Sequence, residues 1–447
     1  MAHIVVIGAG LGGLPTAYEL RHRLPHQHQV TLISDTPQFT FLPSLPWVAL
    51  GLKTLESIQV QLLNRLEPRG IHWVQGRVEG IDPDTRQLVV NQEPLSYDYL
   101  VVATGAELAL DAVPGLGPDT GYTQSVCNPH HAHLAQQAWQ QFLAQPGPLV
   151  VGAVPGASCF GPAYEFALLA DHELRKRGLR DRVPITFVTP EPYAGHLGIG
   201  GMANSAKLVT TLMAERGIEV IENAAVTAVE PDQIRLADGR ALPFAYSMLL
   251  PAFRGPRFLQ NVPGLTDARG FIPVLPTYQH LSYPSIYAVG VIVQLQPPEV
   301  TPLPVGVPKT GQMTEAMGIA VAHNIAIALR AVRSTIAFGE RSAQPVTPTL
   351  EAICFADFGN TGILFLADPV LPDPATGKRR RAIALQGAWV GWAKTAFEQY
   401  FLAKMRLGAA VPWFERLALR GVGLSLVEPT AISSISSSSD CLRGTSC

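Results

Sequence analysis

The chain is poor in charge. Asp, Glu, Lys and Arg make up 15% of its 447 residues against 47% hydrophobic, and the formal net charge is -2. A nearly neutral chain has no electrostatic footprint for general nucleic-acid binding. No apolar run reaches the about 18–20 residues of a bilayer-spanning helix, so the apolar excess points to contact with a membrane surface instead. No leader is expected either: Met1-Ala2-His3-Ile4 runs straight into an apolar strand, and a cytoplasmic active form is expected. Five cysteines are too few and too scattered for a disulfide framework, and redox or catalytic use is the better reading. The length exceeds one core, so two or three subdomains are expected.

A further absence lies in the middle of the chain. At its start, the strand His3–Ile7 is followed by Gly8-Ala9-Gly10-Leu11-Gly12-Gly13, a helix from about Leu14 to Arg23, and a strand Val30–Ile33 ending at Ser34-Asp35. This is G-x-G-x-x-G in its full strand, turn, helix and strand context. The glycines let the backbone approach a pyrophosphate on the helix N-terminus, and Ser34 or Asp35 is placed for the ribose hydroxyls. Tyr97–Gly105 reads as a strand closing on Ala103-Thr104-Gly105, which in flavin disulfide-reductase-type proteins returns the chain to that nucleotide. Where a second nucleotide loop belongs, the strand Leu149–Val151 leads into Gly152, Gly156 and Gly161, which do not form a second G-x-G-x-x-G. Cys159 stands there instead, just ahead of a helix from about Gly161. A thiol at a helix N-terminus feels positive partial charge and is expected to tend towards a reactive thiolate. Nicotinamide binding is thus expected to be lost and cysteine redox chemistry to replace it.

The remaining signals fall around this frame. The loop Phe39–Trp47 either covers a flavin or packs internally. Cys127 is followed closely by His130, His131 and His133; acid–base work by one histidine, a solvated turn and a metal site are all readings of that cluster, with metal the weakest. From about Pro148 to Phe253 strands and helices alternate, as in a second doubly wound unit inserted into the first. His196 lies on a glycine-rich turn, as an acid or base or as a surface histidine. The returning strand Tyr283–Val289 ends at Gly290, and Val291 stands where many flavoproteins of this architecture have Asp. Lys309-Thr310 precedes a long helix, about Gln312–Val332, a geometry suited to stabilising anionic reduced flavin or to ordinary capping. Between Lys378 and Arg420 nine lysines and arginines face two glutamates, interleaved with Trp389, Trp392, Phe397, Tyr400, Phe401, Trp413 and Phe414. Helices at Val390–Met405 and Pro412–Leu419 of this composition suit a bilayer interface, or else pack on the body or on another subunit. The serine-rich tail from Ala431, with Cys441 and Cys447, reads as disordered.

With these residues in place the chain resembles the sulfide:quinone oxidoreductases, monotopic flavoproteins of the flavin disulfide-reductase-like superfamily. The resemblance spans roughly residues 3–425. It rests on GASCFGPAYE around Cys159, VPKTGQM around Lys309, ICFADFG around Cys354 and AKTAFEQYFLAKM near the C-terminus, and it is closest to the bacterial branch with three cysteines. It implies FAD as cofactor, hydrosulfide and a membrane quinone as substrates, and attachment to the cytoplasmic side of a bacterial membrane through the C-terminal helices. No nucleic acid and no metal are implied, and a homo-oligomer is allowed. It makes Cys159 and Cys354 the redox pair, Cys127 an assisting thiol, His131 and His196 proton-handling groups, and Phe355 and Lys394 the quinone end. The expected flavin contacts are Gly8, Ala9, Gly10, Leu11, Gly12, Gly13, Ser34, Asp35, Leu42, Pro43, Val78, Ala103, Thr104, Gly105, Gly290, Lys309 and Thr310. The expected fold is α/β, with two doubly wound Rossmann-like dinucleotide-binding domains and a C-terminal amphipathic-helix membrane-anchoring region. In residues, that is a flavin domain over 1–147 and 254–332, a second domain over 148–253, the C-terminal region over 333–430 and a tail over 431–447. The alternatives are a type II NADH:quinone oxidoreductase, the flavin subunit of a sulfide dehydrogenase, and a flavin redox sensor without turnover.

Overall fold

The strands follow the apolar runs. In the computed structural model, which describes residues 1–260, 262–334, 344–409, 411–421 and 425–430, β1 (His3–Ile7) is buried except at its first residue. It leads through the glycine turn into α1 (Gly13–Arg23), then β2 (Gln29–Ser34), β3 (His72–Gln75) and β4 (Tyr99–Val102). The chain leaves this unit through α2 (Pro129–Ala144) and builds β5 (Leu149–Ala153), α3 (Gly161–Lys176), β6 (Ile185–Val188), α4 (Ser205–Glu215), β7 (Ile218–Ile221) and β8 (Tyr246–Leu250). It returns as β9 (Ile286–Ala288) and runs on into α5 (Gly311–Ser334). The first sheet has the order β9-β4-β1-β2-β3 and the second β7-β6-β5-β8, with every pairing parallel. Parallel sheets covered on both faces need near-continuous apolar strands, which is why β5 and β8 are buried along their whole length.

The C-terminal region is an antiparallel sheet of β10 (Ala352–Asp357), β11 (Gly362–Asp368) and β12 (Arg381–Gln386), followed by α6 (Val390–Leu407) and α7 (Trp413–Gly421). Strand β10 is held against α3 on one side and α6 on the other. Two buried devices fix this arrangement. Trp139 and Phe142 of α2 meet Phe166 of α3 and Tyr246 of β8, with Trp139 and Tyr246 ring centroids 5.5 Å apart, which locks the two helices together. Arg216 bonds the Leu168 carbonyl and Asp171 of α3 and also reaches Asn360 Oδ1 at 2.7 Å, tying the second sheet's helices to the β10–β11 turn.

The basic residues of α6 divide between surface and interior. Lys394 and Lys404 are buried, Lys394 in an ion pair with Glu165 and Lys404 between Glu315 of α5 (2.5 Å) and Glu415 of α7 (2.9 Å). A buried ammonium is tolerated only with such partners, so these cations knit helices together. The tail from Ala431, with Cys441 and Cys447, lies outside the described residues.

Candidate functional site

The glycine turn after β1 is built for close approach. Gly8 has φ +101° and a Cβ there would stand 2.5 Å from the Ala103 carbonyl oxygen; a Cβ on Gly13 would stand 1.8 Å from the Gly8 oxygen. Gly10, by contrast, faces open space, with no atom within 4 Å of its Cβ position, and α1 has no side-chain cap. Uncapped amides at a helix N-terminus, beside a backbone stripped of side chains, form a cradle that fits a dinucleotide pyrophosphate. The same edge of the sheet collects Ala9, Leu11, Gly12, Ser34 and Asp35 after β2, Ala103-Thr104-Gly105 after β4, Gly290 after β9, and Lys309-Thr310 before α5. Gly290 donates its amide to the Met317 sulfur at 3.2 Å, and Thr310 Oγ1 accepts from the Met313 amide as an ordinary cap. Leu42 and Pro43 are exposed on a one-turn helix and Val78 is buried. In the loop Phe39–Trp47, Phe39 and Phe41 are buried, and Phe41 packs on Phe397 and Phe401 of α6.

At the second glycine turn the picture reverses. A Cβ on Gly152 would stand 1.8 Å from the Val188 carbonyl oxygen, so this glycine serves contact between strands. The space beyond β5 is crossed by chain: Gly156 donates its amide to the Pro304 carbonyl at 2.6 Å, and the Gly306 amide donates to the Ala157 carbonyl at 2.8 Å. The carboxyl end of a parallel strand is where such sheets seat phosphates, and here a protein strap takes that position.

Cys127 stands two residues before α2, and Cys159 two residues before α3. The helices that the aromatic cluster locks together therefore carry these two thiols at their feet. Cys354 lies on β10. All three are free thiols of intermediate exposure. They form an electrostatic chain in which charge on Cys127 raises the pKa of Cys159 and charge on Cys159 raises that of Cys354. Burial is the larger cause in each case, pushing Cys127 up to about 11 and Cys159 and Cys354 up to about 12. The expectation of a thiolate at Cys159 is thus corrected. Its helix N-terminus supplies one backbone hydrogen bond, from Gly161, and that does not offset removal from water.

His131 is buried, with Nε2 3.2 Å from Asp119 Oδ2 and Nδ1 without a partner. Burial holds its pKa down, against the pull of Asp119. His130 also meets Asp119, whereas His133 meets Gln137. Among the described residues no group of three or more His, Cys, Asp or Glu is arranged to hold a metal. Lys309 lines a cavity of about 160 Å³ with Ser158, Asp267, Arg269, Phe271 and Gln294. Its pKa is lowered to about 8, first by burial and then by Arg269.

Successive residues of a strand face opposite ways. Phe355 meets Phe397 of α6 at 5.4 Å between centroids, and Cys354 is directed to the other side. Lys394 lies 4.4 Å from the Trp47 ring centroid and is paired with Glu165 of α3. Glu165 Oε1 also accepts from the Asp357 amide at 3.3 Å, and Asp357 Oδ2 accepts from Trp47 Nε1 at 3.0 Å. The Glu165 carboxyl is raised to about 7, by burial first and against the pull of Lys394. Sequence reasoning missed Glu165, Trp47 and Asp357 as members of this site. A glutamate inside the apolar run Tyr164–Ala170 was the available signal, since a buried carboxylate there demands a cation.

The pyridine nucleotide-disulphide oxidoreductase family model matches residues 2–318. The chain is 43% identical over 424 residues to the sulfide-quinone reductase of Aquifex aeolicus, covering 93% of this chain and 94% of that one. It superposes on the X-ray structure of the sulfide:quinone oxidoreductase from the same bacterium with a TM-score of 0.89 at 41% identity, covering 96% and 97% of the two chains. It is 24% identical over 300 residues to the mitochondrial sulfide:quinone oxidoreductase of Mus musculus, covering 64% of each chain.

Proposed function

We infer the reaction from family: this chain belongs to the sulfide-quinone reductases, within the pyridine nucleotide-disulphide oxidoreductase family. It is an FAD-dependent enzyme that oxidises sulfide and reduces a quinone. The observation that carries this reading in the chain itself is the strap Pro304–Gly306 across the end of β5, beside Cys159. A nicotinamide dinucleotide would have no phosphate seat there.

Overall, hydrosulfide, a quinone and one proton give zero-valent sulfur and a quinol. The proposed first step is attack of hydrosulfide on a disulfide between Cys159 and Cys354. One new S–S bond forms, giving a persulfide, and the old one breaks, releasing a thiolate. In that disulfide neither cysteine carries a thiol, so hydrosulfide is the attacking nucleophile. FAD, when bound, supplies the two-electron exchange between sulfur and quinone. The β1–α1 cradle would hold its pyrophosphate, and Lys309 would favour negative charge on it. Cys127 lies within electrostatic reach of Cys159 as the assisting thiol, and polysulfide or zero-valent sulfur is the product. Phe355 and Phe397 would wall the quinone recess. Glu165, raised by burial to about 7, would pass it a proton, with Lys394 positioning its carboxyl. Steady-state assays test the reading: sulfide drives reduction of a short-chain quinone, and NADH does not.

Membrane attachment is proposed at the C-terminal face. No helix among the described residues is long and apolar enough to cross a membrane. Trp392 is 83% exposed, and Ile383, Leu385, Trp389, Leu407 and Leu417 are exposed beside it in sequence on β12, α6 and α7. Exposed apolar residues of this size mark an interaction surface. The double variant Trp392→Glu, Leu417→Glu is expected to lose co-sedimentation with phospholipid vesicles while still being bleached by sulfide. Retained vesicle binding contradicts the assignment.

A further inference from the structure

His196 has both ring nitrogens committed. It is 1% exposed; Nδ1 accepts from the Gly198 amide at 3.2 Å, and Nε2 lies 2.7 Å from Glu299 Oε1. The acceptor role of Nδ1 puts the proton on Nε2, so His196 donates to Glu299. Neither nitrogen is left for a substrate while this pair is made.

The pair joins two segments that lean on Cys159. Glu299 opens the strap whose other end bonds the cysteine loop through Pro304 and Gly306. A Cβ on Gly306 would stand 2.4 Å from Ser158 Cβ, and one on Gly198 would stand 2.1 Å from the Gly306 carbonyl oxygen. The histidine loop, the strap and the cysteine loop are therefore stacked without slack. The histidine loop is anchored elsewhere by interior groups. Glu191, fully buried, accepts from the Leu197 amide at 2.6 Å, and Arg379 Nη2 donates to the Ile199 carbonyl at 2.6 Å. Leu197 is held at φ +61°, a left-handed conformation that a leucine does not keep unaided. Glu299, with half its side chain exposed, is the pin that reaches solvent.

We propose that Glu299 is a positioning residue for sulfide oxidation: through His196 it clamps the strap Glu299–Gly306 onto the Cys159 loop and so controls the access of sulfur species to Cys159. This rests on the reading of Cys159 as a reacting sulfur. The test uses the full-length flavin-loaded protein with Glu299→Ala and Glu299→Gln. Two quantities are followed: the KM and kcat for sulfide, and the rate at which iodoacetamide alkylates Cys159 in the dithiothreitol-reduced protein, where it is a free thiol, mapped by mass spectrometry. Glu299→Ala is expected to speed alkylation and to raise the KM for sulfide about fivefold or more with little change in kcat or in the KM for quinone. Glu299→Gln keeps the acceptor oxygen and should stay within about twofold of the unaltered protein in both. Unchanged alkylation and KM in Glu299→Ala overturn the proposal. So does a fall in kcat alone, which is the signature of acid–base work by His196. Alkylation needs no turnover, so an unaltered protein inactive towards sulfide would overturn the assigned reaction while the alkylation rates still decide the clamp.

Discussion

Cys159→Ala and Cys354→Ala are each expected to abolish sulfide-dependent quinone reduction, by on the order of a thousandfold or more, while each keeps its FAD. The two effects separate because they belong to different parts of the fold. The nucleotide cradle lies at the carboxyl edge of the first sheet, at Gly8–Gly13 and Ala103–Gly105. The two thiols come from the foot of α3 and from β10. In the proposed mechanism an alanine at either position removes one sulfur of the disulfide that incoming sulfide would attack, and the partner cysteine alone has no disulfide to offer. Anaerobic titration with sulfide, followed by flavin absorbance, reads the loss directly. Full turnover in either variant contradicts the cysteine assignment.

Lys394→Met is expected to slow the quinone half-reaction and to destabilise the protein together. Lys394 and Glu165 are both buried and paired. Removing the cation leaves a carboxyl that burial already holds at about 7 with nothing to oppose further neutralisation. Breaking such a pair from one side costs about 3–5 kcal/mol. The double variant Glu165→Gln, Lys394→Met removes both charges and recovers most of that loss, because a buried pair can be exchanged for neutral groups at little net cost. It is not expected to recover the rate at which quinone reoxidises the reduced enzyme, since the proposed proton donor Glu165 is then gone. Thermal unfolding and stopped-flow reoxidation separate the two effects. A double variant with an unaltered reoxidation rate removes Glu165 and Lys394 from the quinone site.

The local architecture was legible from pattern. The strand at 185–188 and the helices at 161–176 and 390–407 follow from apolar periodicity and glycine punctuation, and the first nucleotide fold follows from one glycine motif in its context. Contacts between distant segments were not. Glu165 and Lys394 lie 229 residues apart, and His196 and Glu299 lie 103 apart; no spacing rule joins them. Electrostatics failed in a different way. The helix N-terminus beside Cys159 suggested a thiolate, but the sign of the shift was set by burial, a tertiary quantity. At the basic C-terminus the composition left membrane contact and packing on the body both open, and only the fold shows Lys394 and Lys404 turned inward to carboxylates on other helices.

The measurement that bears most directly on this account is anaerobic flavin absorbance. The purified yellow protein is mixed with sulfide in one cuvette and with NADH in another, and a short-chain quinone is then added. Bleaching by sulfide, recovery on quinone and no response to NADH are the result expected from a strap of protein where a nicotinamide nucleotide would place its phosphates. Bleaching by NADH, with sulfide inert, contradicts it.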